Sequence, residues 1–211
     1  MAQAHHHDHG PDHRAPIEHG GKAGDYELLA EALRQLLEEK GVFSAAELRE
    51  QIDRMDSRTP ALGARMVARA WCDPAYKQRL LADGSAAAEE LLGITVAPLR
   101  LIVVENTPAL HNVIVCTLCS CYPRNVLGLP PDWYKSRDYR SRAVSEPRAV
   151  LAEFGTRIAA GVEVRVHDST ADMRYLVLPA RPRGTEGWSE ERLAGIVTRD
   201  AMVGVAVPQA K

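Results

Sequence analysis

What this sequence lacks narrows it first. No run approaches the roughly 18 to 20 consecutive apolar residues needed to span a bilayer. The N-terminus is polar and histidine-rich rather than a basic stub followed by an apolar stretch. A membrane-embedded or secreted protein is not expected. Charge of one sign is not in excess either: 26 Lys+Arg stand against 28 Asp+Glu, a formal net charge of -2, and the basic residues are scattered among acidic ones. That leaves no electrostatic case for nucleic acid. A disulfide framework is also missing. The chain has 4 cysteines, and Cys116, Cys119 and Cys121 sit too close together to bridge without straining the geometry a disulfide needs. Clustered, unpaired thiols fit a reducing, cytoplasmic setting. With 45% hydrophobic and 26% charged residues, the 211-residue chain otherwise has the composition of an ordinary globular protein.

Three segments are expected. Residues 1–24 hold six of the 8 histidines, at positions 5, 6, 7, 9, 13 and 19, among Asp8, Asp12, Gly and Pro. Such a segment cannot bury a core and is expected to be disordered, either a metal-recruiting tail or a solvated one without a role. Residues 25–92 form a helical arm. Leu29, Leu33, Leu36 and Leu37 share one helical face, and Ser44 with Glu47 makes a capping box. Thr59-Pro60 and Asp73-Pro74 open further helices, with Gly84 after the last. The arm either binds a partner or covers its own domain. From residue 93 the pattern turns to short strands: Leu101 to Val104, Val113 to Val115, Val162 to Val166 and Tyr175 to Leu178. Alternation of Val162, Val164 and Val166 with charged residues predicts a strand with one buried face. Helices are expected near Pro147 to Phe154 and Glu190 to Val197. The whole reads as α+β, an N-terminal helical arm followed by a mixed, layered α/β domain over 93–211, with the cysteines on the loop after the Val113 to Val115 strand.

Two metal sites fit that loop. One is a structural zinc knuckle with Cys72 as fourth ligand, although zinc sites prefer separated pairs and a lone Cys72 at a helix junction reads as a small buried apolar residue. The other is tighter. The thiolates of Cys119 and Cys121 and the backbone nitrogens of Ser120 and Cys121 can close contiguous chelate rings as a square plane. Cys116 then supplies an axial sulfur, and a sixth position stays open. Amidate and thiolate donors favour a trivalent, low-spin ion, which zinc cannot become.

The run Val115-Cys116-Thr117-Leu118-Cys119-Ser120-Cys121-Tyr122-Pro123, followed by Leu127-Gly128-Leu129-Pro130-Pro131-Asp132-Trp133-Tyr134-Lys135-Ser136, closely resembles the α subunit of nitrile hydratase and the related γ subunit of thiocyanate hydrolase. The match continues through Tyr139 to Arg142, Glu146 to Arg148, Met173 to Tyr175, Gly184 to Trp188 and Val197 to Asp200. The resemblance implies a hydro-lyase that hydrates a small nitrile to the amide. Its ligands would be the sulfurs of Cys116, Cys119 and Cys121 and the amides of Ser120 and Cys121. Cys119 would be a sulfinate and Cys121 a sulfenate. Cys119, Ser120 and Cys121 are thus the implied catalytic residues. Thr117 is the residue type of cobalt members, so one non-corrin cobalt(III) per chain is implied ahead of iron(III). Polarisation of the nitrile, activation of a water, or attack by the Cys121 sulfenate oxygen all stay open as routes. The family also implies a β-type partner subunit, as αβ or α2β2, whose arginines support the oxidised sulfurs, and a metallochaperone or activator protein.

The chain departs from that pattern where it matters for substrate. Arg124-Asn125 stands where nitrile hydratases usually have Trp-Pro, and an arginine there resembles thiocyanate hydrolase, whose substrate is an anion. Arg124 and Tyr122 are expected at the substrate pocket, and Arg174 matches a family arginine near the subunit interface. The connection from Gly93 to Arg100 is short for the family. His111 and His167 read as structural histidines. The competing functions are thiocyanate hydrolysis to carbonyl sulfide and ammonia, and a non-catalytic cobalt carrier.

Overall fold

A computed structural model describes residues 24–210, and the histidine-rich tail lies outside the described residues. The chain opens with α1 (Asp25–Glu39) and α2 (Ala45–Asp56), neither of which buries a residue. Ser44 and Glu47 form the expected capping box at the start of α2, the Glu47 amide donating to Ser44 Oγ at 3.2 Å and the Ser44 amide to the Glu47 carboxylate at 2.7 Å. The next three helices, α3 (Pro60–Cys72), α4 (Pro74–Ala82) and α5 (Gly84–Leu92), pack against one another. Met66, Val67, Tyr76 and Leu80 from this group enter the main core, so the exposed arm is α1 and α2 alone. Gly84 follows α4, as expected, and also starts the next helix. Asp83 accepts from the Ser85 and Ala86 amides, repeating the cap that Asp73 provides for α4.

The strands follow: β1 (Arg100–Glu105), β2 (Leu110–Val115), then α6 (Arg124–Leu127), α7 (Asp132–Lys135), α8 (Arg137–Ser145) and α9 (Pro147–Glu153). The chain continues through β3 (Glu163–Asp168), β4 (Met173–Leu178), α10 (Glu190–Ala194) and α11 (Arg199–Val203). All four predicted strands are present, in two parallel pairs, β1 with β4 and β2 with β3. β3 is the weakest match to expectation. Val164 and Val166 are only half-buried, and Val162 precedes the strand.

A buried polar chain joins the two pairs. Asn112, on β2, donates from Nδ2 to the Glu105 carbonyl at 2.8 Å and accepts from His167 Nε2 on β3 at 2.8 Å. Asn106 Oδ1 accepts from the Asn112 amide at 2.7 Å, which turns its Nδ2 toward His111 Nδ1. His111 Nε2 must then donate to the Gly204 carbonyl, 2.7 Å away, so the ring is neutral with its proton on Nε2. A second proton would put a donor against the Asn106 amide. Burial lowers the pKa of both histidines below 6.5; the carbonyl of Gly204 partly opposes this at His111, and Arg165 adds to it at His167. The unfolded chain therefore binds more protons than the folded one just below 6.5. This stabilisation is complete above that pH and is lost as pH falls through the depressed values. Urea midpoints measured from pH 7.5 to 5 should fall, and His111→Gln should flatten part of the slope.

Candidate metal centre

β2 delivers the cysteines. Val115 and Cys116 are buried at its end, which anchors the first ligand, and the chain then surfaces through Thr117, Leu118 and Cys119 before Tyr122 and Pro123 re-enter the core. Cys116 Sγ lies 3.5 Å from Cys119 Sγ, which lies 3.2 Å from Cys121 Sγ. All three sulfurs fall within 4.8 Å of one another. For metal–sulfur bonds of about 2.3 Å, donors at right angles are roughly 3.3 Å apart and tetrahedral donors roughly 3.8 Å. The observed edges are short enough for all three sulfurs to reach one ion. Cys72 does not join them. It ends α3 exposed to solvent, so neither the fourth-ligand role nor the expected burial holds.

The loop's amides face the sulfurs. Hydrogen bonding from Cys121 and Cys116 holds the Cys119 thiol below its usual range, with the Ser120 and Cys121 amides adding to the effect. Burial pushes the Cys121 thiol up to about 12, reinforced by Cys119, while the Arg174 guanidinium opposes it. Cys116, Cys119 and Cys121 thus come together as a group able to hold a metal ion, with Ser120 between the last two.

Three residues outside the loop brace it. Asp168, at the end of β3, accepts from the Thr117 amide at 3.0 Å and from Thr117 Oγ1 at 2.5 Å. Arg140 donates to the Cys119 carbonyl at 2.9 Å, and Tyr134 OH to the Cys121 carbonyl at 2.9 Å. None of these roles was assigned from sequence. The parallel register that sets Asp168 opposite Val115 is the only signal for the first, and it is invisible before the fold. Asp168→Ala frees Thr117 and should weaken metal retention about tenfold, the low end for loss of a group that orients metal ligands, as read by competition with a chelator.

The other predicted residues separate. Tyr122 is 2% exposed and packs edge-on against Tyr134 at 4.9 Å, inside the core rather than on an open rim. Arg124 opens α6 on the surface. Arg174 is half-buried, donating to the carbonyls of Thr170, Ala171 and Met173. Leu118, between the first two ligands, is 89% exposed.

The family pattern described as nitrile hydratase, alpha chain, matches residues 24–206. A low-molecular weight cobalt-containing nitrile hydratase subunit alpha from Rhodococcus rhodochrous is 51% identical over 182 residues, 84% of this chain and 86% of the relative. The thiocyanate hydrolase subunit gamma of Thiobacillus thioparus is 46% identical over 199 residues, 89% of this chain and 82% of that one. A solved Fe-type nitrile hydratase from Comamonas testosteroni Ni1, carrying a double histidine substitution, superposes with a TM-score of 0.83 at 42% identity, covering 90% of this chain and 93% of that one. With the cysteine claw, the α+β fold and these similarities in agreement, the chain belongs to the nitrile hydratase alpha-chain family and is an alpha-type enzyme subunit.

Proposed function

We propose that this chain is the metal-bearing subunit of a heteromeric enzyme that hydrates a nitrile to its amide at a low-spin cobalt(III) centre. The observation that carries the reading is that the sulfurs of Cys116, Cys119 and Cys121 converge on one loop, 3.5 and 3.2 Å apart, close enough to share one ion. Thr117 and the cobalt-containing relative favour cobalt over the iron of the Fe-type structure. When bound, that ion supplies a Lewis-acidic open position.

The chain's own groups do the rest. Asp168, Arg140 and Tyr134 keep the loop from relaxing, so the donors stay aligned through turnover. With Cys119 as sulfinate and Cys121 as sulfenate, the loop gains oxygens, and the Cys121 oxygen serves as nucleophile or proton acceptor. Arg174 favours negative charge on Cys121.

A β-type partner is part of the proposal, with Arg174 near the contact. Its support is the arm: α1 buries nothing on its own chain, while Leu29, Leu33 and Leu36 are exposed at 65%, 53% and 46%. A helix of 15 residues does not hold an apolar stripe in water without a covering surface. An activator protein to load the metal, and a cytoplasmic setting that spares the free thiols, complete the reading.

Arg124 favours a second reading, thiocyanate hydrolysis, because its guanidinium has no ion-pair partner among the described residues. The test is one preparation of this chain coexpressed with its β-type subunit and loaded with cobalt, following amide from nitriles and carbonyl sulfide plus ammonia from thiocyanate. Amide as the main product is expected. Preferred turnover of thiocyanate reverses the order, and no turnover of either makes the chain a cobalt carrier.

A further inference from the structure

Arg140 brings an unneutralised positive charge to the metal loop. It lies on α8, which Tyr139 pins to β2 through a bond from its hydroxyl to the Ile114 carbonyl at 2.6 Å. Arg142, two residues on, is held by Glu146 and Glu153, whereas Arg140 forms no ion pair among the described residues. Its Nη1 donates instead to the Cys119 carbonyl at 2.9 Å. We propose that Arg140 is the positioning residue that makes the Ser120 nitrogen a metal donor, and so sets the preference of the site for cobalt over zinc. The inference rests on the hydratase reading and names what in this chain selects its ion.

The peptide group carries the effect. The Cys119 carbonyl and the Ser120 nitrogen belong to one planar, trans unit, so whatever holds the oxygen also fixes where the nitrogen points. The loop's nitrogens turn inward. Cys119 donates from its amide to Cys116 Sγ at 3.3 Å, and the Ser120 and Cys121 amides face the Cys119 sulfur. Arg140 thus holds the oxygen end of a unit whose nitrogen end is turned to the sulfurs. Charge matters as much as direction. A peptide nitrogen that binds a metal exchanges its N–H bond for a metal–nitrogen bond, keeping the electron pair while the proton passes to water. Resonance spreads the resulting negative charge onto the carbonyl oxygen, where a guanidinium holds it about twice as strongly as a neutral donor does.

Zinc gains little from such a nitrogen. Its d electrons impose no geometry, and thiolates satisfy it in a tetrahedron, whereas a trivalent, low-spin ion is stabilised by a strongly donating charged nitrogen. Without Arg140 the three sulfurs remain, within 4.8 Å of one another, and zinc can share them. Tyr134 supplies the contrast. Its hydroxyl donates to the Cys121 carbonyl at 2.9 Å, but the nitrogen of that peptide is Tyr122's, outside the run of cysteines. Both residues brace the loop, and only Arg140 holds a peptide whose nitrogen lies between Cys119 and Cys121.

The test coexpresses this chain with its β-type subunit in cells supplied with cobalt and zinc salts at equal concentration, and reads the cobalt-to-zinc ratio of the purified complex by elemental analysis. Arg140→Met should lower that ratio about tenfold, the loss of one charge-assisted hydrogen bond, and Arg140→Lys should restore part of it. X-ray absorption at the cobalt edge should show fewer nitrogen neighbours and unchanged sulfur neighbours in the cobalt that Arg140→Met retains. Tyr134→Phe should alter neither the ratio nor the nitrogen count. An unchanged ratio in Arg140→Met overturns the proposal. Equal shifts in Arg140→Met and Tyr134→Phe overturn it too, because they mark a brace rather than a contact that orients a donor. Should Arg140→Met lose its near-ultraviolet circular dichroism, Arg140→Gln, which keeps a neutral donor, provides the same comparison. The metal readout also separates this claim from the hydratase reading. A complex that selects cobalt through Arg140 yet forms no amide from nitriles sinks the hydration, whereas amide formation with a cobalt-to-zinc ratio indifferent to Arg140 sinks the selection.

Discussion

Cys119→Ala should leave a folded chain that no longer keeps its metal. Cys119 is exposed, so removing its sulfur opens no cavity, and the change in folding free energy should stay within about 0.5 kcal/mol. The same sulfur stands between the other two, 3.5 Å from Cys116 Sγ and 3.2 Å from Cys121 Sγ, and its loss removes the shared corner of the site. Groups that merely orient ligands typically contribute 10- to 100-fold in metal affinity or activity, so deleting a ligand should lower both by more than about 100-fold. Cobalt measured by elemental analysis of the coexpressed complex, together with nitrile turnover, checks this. Cys72→Ala is the control. It lies outside the cluster and should change neither quantity, whereas release of metal by Cys72→Ala would return the site to a four-cysteine zinc knuckle.

The largest effect on stability should come from Gly204→Ala, at the end of α11. Its φ of +95° is a conformation that side chains rarely adopt, costing about 1–2 kcal/mol. A Cβ there would also lie 2.1 Å from the Asn112 carbonyl, a backbone atom that cannot rotate away, and overpacking of this kind costs about 1–3 kcal/mol more. Relief of the clash would push α11 off β2 and break the bond from His111 to the Gly204 carbonyl. A total of about 3 kcal/mol corresponds to a fall in melting temperature of roughly 6–12 °C for a chain of this size. Calorimetry on the purified complex measures it. A shift under 2 °C would mean that α11 can move freely, which the buried contacts of Met202 and Val203 argue against.

Much of this molecule is written in short stretches. The caps at Ser44 and Asp73, the prolines at 60 and 74 and the four strand segments act over a few residues, because hydrogen bonds to free helix amides and alternation of side chains are local rules. Gly84 shows where such rules stop short: it follows α4 as read from the sequence, yet Asp83 beside it also caps a further helix that Gly84 begins. The cysteine cluster was legible for the same reason as the caps. Its sulfurs and amides lie within six residues, so chelate-ring size alone restricts how they can meet.

The sequence by itself determined the cysteine cluster, the family and the α+β character. Tertiary structure alone decided which groups brace and surround that set. Asp168 meets Thr117 because β3 pairs in parallel with β2, the buried asparagine and histidine chain forms because β1, β2, β3 and α11 converge, and Gly128 meets the Arg58 backbone because a glycine there lets two backbones touch. The physical reason is distance along the chain. Parallel pairing and helix packing join residues dozens of positions apart, and no local pattern encodes which distant partner each will find.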